Sequence, residues 1–144
     1  MTPCARELRI TYQPTDPGPL LQVSGPGSAA ALLVPRLESE PVEVCVALLV
    51  NTKRRVLGVH EVGRRTLDTC IVHPRDVFKV ALLANAAAVI LAHNHPSGDT
   101  QPSIEDVRRR ARLRQAADLV GIELLDFIIV GQGGRYVSFQ ERGE

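Results

Sequence analysis

Two histidines one residue apart, His93 and His95, are followed by a Pro-Ser-Gly-Asp turn at residues 96–99 and then by Ser103 and Asp106. Alternate side chains of a strand point to the same side, so imidazoles at i and i+2 of a strand end can present two nitrogens to one point. Asp106 falls in the first turn of the helix that follows, and the tight turn folds that helix end back over the histidines. Two nitrogens and one carboxylate oxygen then converge. That is a donor set of catalytic zinc, which takes three protein ligands and keeps a fourth position for water. Water held there has its pKa lowered to roughly neutral and can attack a carbonyl, provided a neighbouring base, usually a glutamate, takes the proton.

Each residue also has a plainer reading. Ser103 and Asp106 are close to a Ser-x-x-Glu capping box and by themselves would only cap a helix. A single histidine at a strand end is more often a satisfied core or surface residue. A cap accounts for neither the second histidine nor its place directly after the apolar run Ala86 to Ala92. An aspartate that caps a helix can also ligate.

The elements that must position these residues are legible as pattern. A chain of 144 residues with 44% hydrophobic and 23% charged residues is long enough for one buried core and outside the disordered and fibrous ranges. Residues 13–28, rich in Pro, Gly and Ser, read as an arm or linker, and a short helix from Ser28 is expected to end near Pro35. "PVEVCVALLV" and "RVLGVHEV" read as strands of a hairpin turned at "NTKR". Pro74 suits a first helical position, and Val77, Val80, Ala81 and Ala84 return at helical spacing. "AAVILAH" reads as a strand buried on both faces. A helix from about Ser103 to Val120 closed by Gly121, a strand "IELLDFIIV", a turn "GQGG" and a last strand "RYVSF" complete the chain without internal repeats. The expectation is an α/β fold, a mixed β-sheet with flanking helices, divided into an N-terminal arm and short helix over 1–39 and a main domain over 40–144.

The stretch resembles the JAMM, or MPN-plus, metalloprotease motif: His93, Asn94, His95, seven residues, Ser103, two residues, Asp106. More narrowly, "HNHPSGD" and "QPSIED", with the preceding "TLD" and "VHPRDVFKVALLANAAAVILA" and the closing "FIIVGQGGRYVSFQERG", look like the RadC family of bacterial JAB-domain proteins, over roughly residues 40–143. The resemblance implies a JAB/MPN fold, related in layout to cytidine deaminases, with zinc (Zn2+) as cofactor on His93, His95 and Asp106. It implies that Ser103 helps to stabilise an oxyanion and that an upstream glutamate activates water. The family's base precedes an apolar run on an early strand, which fits Glu43. Glu61, at the end of the next strand, is the second candidate. Glu38 and Glu40 lie outside any strong pattern, and Glu105 projects about 100° away from Asp106 on a helix.

Two departures from the family stand out. Full-length RadC proteins usually carry an N-terminal helix-hairpin-helix region, and the first 40 residues here are too short and proline-rich to supply one. The family's "GTL" reads "RTL" at Arg65 to Leu67.

The expected function is zinc-dependent hydrolysis of a peptide or isopeptide bond in a peptide or protein substrate. Asn94 between the histidines, where eukaryotic deubiquitinases usually have Ser, means that ubiquitin need not be that substrate. The alternatives are an accessory or DNA-binding module linked to DNA repair or recombination, a role historically attached to the RadC name, and a metal-dependent nuclease. The formal net charge of +1 argues for no polyanion as default partner. Arg108, Arg109 and Arg110 fan around more than half a helix and read as a solvated surface. Aromatic residues, at 3%, supply no stacking platform for single strands. The string "HNH" is too compact for the nuclease motif of that name, and the His-x-Glu and Pro-Cys-x-x-Cys of zinc deaminases are absent. Cys4, Cys45 and Cys70 form no paired framework, which suits a reducing compartment, and Cys70 with His73 is two ligands without partners. No signal segment or membrane span is visible, so a cytoplasmic location is expected.

Overall fold

The computed structural model describes residues 1–9, 11, 18–65 and 72–144. Its elements in chain order are α1 (Pro26–Leu37), β1 (Val44–Val50), β2 (Val56–Arg64), α2 (Pro74–Leu83), β3 (Ala88–Asn94), α3 (Ile104–Val120), β4 (Glu123–Val130) and β5 (Tyr136–Ser138). The strands form one sheet in the order β2-β1-β3-β4-β5. Every residue of β1 and β3 is buried, so the sheet's middle must be covered on both faces.

The two-residue alternation of the strands decides which helix covers which face. Cys45, Ala47, Leu49, Val89, Leu91, Phe127 and Ile129 pack against Val77, Phe78 and Ala81 of α2 and Leu113 and Ala117 of α3. Val44, Val46, Leu48, Ala88, Ile90, Ala92 and Ile128 pack instead against Ala29, Leu33 and Leu37 of α1. Continuing the alternation past Leu91 puts His93 on the α2/α3 face and Asn94 on the α1 face.

Hairpins stand at both ends of the sheet, as the pattern predicts: β1 with β2 and β4 with β5, both antiparallel. The first turns at Asn51, whose Oδ1 accepts the Lys53 and Arg55 N–H groups at 2.9 and 3.0 Å. Between them β3 runs antiparallel to β1 and parallel to β4, with α3 as the crossover. Gly121 closes α3 in a left-handed conformation at φ 76°.

The first helix corrects the expected boundaries. It starts at Pro26 rather than Ser28, because Pro26 takes the first helical position and Ser28 closes the turn from inside, its hydroxyl accepting the Ser24 and Gly25 N–H groups. It also runs through Pro35 to Leu37. Proline in a helix interior costs about 3 kcal/mol, but the complete burial of Leu33 and Leu37 offsets it at about 2 kcal/mol or more each. This helix, expected within the N-terminal arm, therefore packs into the same core as the rest of the sheet. Residues 1–9 carry no regular secondary structure. Thr66, Leu67, Asp68 and Cys70 lie outside the described residues. Among the described residues no helix is long and apolar enough to cross a membrane.

Candidate metal centre

The site forms where three element ends meet: the carboxyl end of β3, the residue preceding β1 and the first turn of α3. Ligand sites in sheets with parallel strands favour this position, outside the carboxyl end of a strand. His93 pairs with Cys45 in the β1–β3 ladder. Cross-strand partners share a face, so Glu43, two residues before Cys45, lies on the same face as His93. A bulge in the β1–β2 ladder between Cys45 and Val46 sits beside this pair.

Beyond β3 the chain turns at once. His95 N–H donates to Val130 O at 2.9 Å, and Gly98 N–H donates to His95 O at 2.8 Å. The turn lies hard against the end of β4: a Cβ on Gly131 would stand 2.6 Å from Gly98 O and from Thr100 Cγ2. That close approach requires glycine. It carries the chain to Ser103, which caps α3: the Asp106 N–H donates to Ser103 Oγ at 3.0 Å, and the Ser103 N–H donates to Asp106 Oδ2 at 2.8 Å. The capping box is real, and the same aspartate faces both histidines.

Asp106 Oδ1 is 3.0 Å from His93 Nε2, and Asp106 Oδ2 is 3.1 Å from His95 Nε2. Ligands at about 2.1 Å from a tetrahedral ion stand about 3.4 Å apart, so a small expansion admits a metal. His95 Nδ1 donates to the Asp99 carbonyl at 2.7 Å, so in the neutral ring the Nε2 lone pair is the one free for an ion, while the protonated ring bonds Asp106 through Nε2. His93 is only 1% exposed, and neither ring nitrogen makes an aligned hydrogen bond. Its Nε2 and Nδ1 lie 3.0 Å from Asp106 Oδ1 and Glu43 Oε1, respectively, but at angles that make these charge contacts. A buried imidazole placed this way lacks the partner that an ion would supply. One donor atom each from His93, His95 and Asp106 falls within 4.8 Å of the others, and this group could hold a metal ion.

The electrostatics follow from the same contacts. Burial alone would raise the Asp106 carboxyl, but His93, His95 and the Ser103 N–H hold it well below the usual carboxylate range. Burial would also raise Glu43, and His93, Arg109 and Arg65 pull it down instead. Burial would lower His93, which the carboxylates of Asp106 and Glu43 raise above 6.5. His95 is raised chiefly by Asp106.

The residues singled out in the sequence fall as follows. His93, His95, Asp106 and Glu43 come together. Ser103 stands beside them at the cap, with its hydroxyl hydrogen donating to no acceptor among the described residues. Glu61 is half-exposed, ion-paired with Arg64 at 2.7 Å, and among the described residues makes no ion pair or hydrogen bond with His93 or His95. Glu38 bonds the Gly134 N–H, Glu40 pairs with Arg64, and Glu105 is exposed. His73 caps α2, its Nδ1 accepting the Arg75 N–H.

Sequence reasoning misread one member of the site. Arg109 does not belong to a solvated surface. It is 16% exposed, and its Nη1 lies 3.5 Å from Glu43 Oε1 and 3.6 Å from Asp106 Oδ1. The available signal was its i+3 spacing from Asp106, which places both on one helix face. Arg110 lies over the Phe139 ring at 5.6 Å, so of Arg108, Arg109 and Arg110 only Arg108 is exposed.

Comparison with known proteins agrees with the fold and the family resemblance. Residues 23–144 match the RadC-like JAB domain. A UPF0758 protein of Symbiobacterium thermophilum is 48% identical over 123 residues, covering 85% of this chain and 52% of the relative. A UPF0758 protein of Rubrobacter xylanophilus is 42% identical over 139 residues, covering 96% of this chain and 59% of the relative. One from Methanosarcina acetivorans is 42% identical over 125 residues, covering 87% and 54%. The chain thus spans little more than half the length of these curated relatives. With a mixed five-stranded sheet, three helices and this match over most of its length, the chain belongs to the RadC-like JAB-domain family.

Proposed function

We propose that this domain is a zinc-dependent hydrolase of peptide or isopeptide bonds. The observation that carries the reading is the convergence of His93, His95 and Asp106 with a carboxylate, Glu43, whose Oε1 lies 3.0 Å from His93 Nδ1. His93, His95 and Asp106 would hold the ion, and its donor set of two imidazoles and one carboxylate is that of catalytic zinc. Bound there, zinc supplies Lewis acidity and lowers the pKa of water.

The chain's own residues do the rest. Glu43, held ionised by its neighbours, is the base that accepts a proton from the attacking water and later returns it to the leaving amine. Ser103 offers its hydroxyl hydrogen to the oxygen that becomes negative as the carbonyl turns tetrahedral. The Ser103 oxygen is already fixed by the Asp106 N–H, so this donor needs little reorganisation. The Asp99 carbonyl fixes the His95 tautomer, and Asn94 holds the segment that carries Glu43.

A nucleic-acid reading has weaker support, because Arg109 turns inward and Arg110 covers Phe139 rather than joining Arg108 in a stripe. The deciding test is metal content by elemental mass spectrometry on protein purified without added metal, followed by a peptide-cleavage screen. About one zinc in wild type, none in His95→Ala, and cleavage that a chelator abolishes are expected. Folded wild-type protein without zinc overturns the reading.

A further inference from the structure

Two guanidiniums flank Glu43, one on each oxygen. Arg109 from α3 approaches Oε1 at 3.5 Å, and Arg65, just past the end of β2, approaches Oε2 at 3.8 Å. Neither is used up there. Arg109 reaches Glu43 and Asp106 through Nη1 alone, so its Nε and Nη2 donate to no acceptor among the described residues. Among the described residues the Arg65 side chain makes only its long ion pair with Glu43. The remaining Arg109 donors are not sealed from solvent, so they are open to an acceptor that a ligand brings into the site.

The charge balance points the same way. A divalent ion already offsets the carboxylates of Asp106 and Glu43. Arg65 and Arg109 then leave the loaded site with a surplus of positive charge, graded from Arg65 at 55% side-chain exposure to Arg109 at 16%. A surplus held by planar forks suits a carboxylate, which accepts two parallel N–H bonds. A polyanion fits worse: Asp99 and Glu105 are exposed beside the ligands, Glu61 is exposed near Arg64, and successive phosphates would meet them.

Resting on the peptide-hydrolase reading and narrowing it, we propose that Arg109 and Arg65 form a carboxylate-recognition subsite, so that the preferred substrate carries a carboxylate next to the scissile bond. The carboxylate comes from a peptide C-terminus or from an acidic side chain.

The test is calorimetric binding to the zinc-loaded full chain of four probes: acetyl-alanyl-alanine as the free acid, the same dipeptide as its amide, an amide-capped dipeptide containing aspartate, and a thymidine dinucleotide. The free acid is expected to bind about tenfold or more tightly than the neutral amide. In Arg109→Gln that preference falls to about twofold, Arg109→Lys keeps part of it, and zinc content and the thermal melt verify that site and fold persist. Preference for the aspartate dipeptide instead assigns the carboxylate to a side chain and supports the subsite. Equal binding of acid and amide, no binding of the acid, or a preference that survives Arg109→Gln overturns it. Tighter binding of the dinucleotide overturns it in favour of a phosphodiester. If Arg109→Gln does not fold, exposed Arg65→Gln must lower the preference, or the proposal falls. Cleavage of the two dipeptides is followed in parallel. Preferential binding without cleavage removes the hydrolase reading and leaves the anion subsite; cleavage without preference does the reverse.

Discussion

Asn94 Oδ1 accepts the Val44 N–H at 2.7 Å, while the same side chain donates to Val42 O at 2.9 Å. The residue between the two histidines thereby grips the backbone on both sides of Glu43, from the opposite face of the sheet. Its chain neighbours His93 and His95 carry the nitrogens proposed to hold the ion, and Asn94 sets where the carboxylate stands relative to them.

Asn94 is 2% exposed, so Asn94→Ala leaves backbone N–H and C=O groups of the 42–44 segment buried without partners. A loss of about 2–4 kcal/mol is expected in denaturant unfolding. Zinc stoichiometry should hold because His93, His95 and Asp106 remain, while turnover falls with the displaced base. Loss of zinc together with unchanged stability would contradict this division of labour.

Glu43 faces His93 Nδ1, the nitrogen opposite the one near Asp106, so it has two roles to separate: base, and holder of the ring. Glu43→Gln keeps the shape and removes the basicity. The base role predicts retained zinc with turnover lowered about 100-fold or more. A fall of about 10–100-fold in zinc affinity would instead mark Glu43 chiefly as the group that orients the ligand. Competition with a chromophoric chelator reads the affinity, and steady-state kinetics reads the turnover.

Ser103 combines cap and hydroxyl, and the two are separable. Glycine is a good N-cap without a side chain, so Ser103→Gly is expected to cost only a few tenths of a kcal/mol in stability. If the hydroxyl stabilises the oxyanion, turnover still drops about 100-fold. Ser103→Thr should restore both. Equal activity in the glycine variant would reduce Ser103 to a cap.

If His93 and His95 hold the proposed ion, protons and metal compete for them. Both are raised above 6.5 in the metal-free protein. A raised histidine adds stability that is fully present below 6.5 and is lost as pH rises through the folded-state value. Metal-free protein is therefore expected to melt higher near about pH 6 than near about pH 8. Zinc needs the neutral rings, so the stabilisation conferred by zinc should grow over the same interval. Asp106, depressed, contributes in the opposite sense, and its share is lost only in strong acid. Calorimetric melts with and without zinc across this range check both slopes.

The sequence made the cluster of His93, His95 and Asp106 legible because its spacing is local. His93 and His95 share a strand face by the period of two, and the turn and cap bring Asp106 back within a dozen residues. The buried run before His93, the crossover helix closed by Gly121 and the hairpins at both ends were readable for the same reason. The boundary of α1 was not, since the outcome at Pro35 depends on how much area Leu33 and Leu37 bury, which only the packed sheet determines.

What the tertiary structure decided are the contacts that cross the sheet. The choice between Glu43 and Glu61 rests on register: Cys45 opposite His93 aligns Glu43 with the histidine, while Glu61 lies on the edge strand with Arg64. Arg109 looked like one of several helix-surface charges, and its direction depends on which side of α3 meets the sheet. The sequence by itself determined the cluster of His93, His95 and Asp106, which could hold a metal ion, and the elements that carry it, because both follow from local periodicity. Packing alone selected which carboxylate and which arginine stand next to that cluster, because residues 50 to 66 positions apart meet only once the strands are paired and the helix docked.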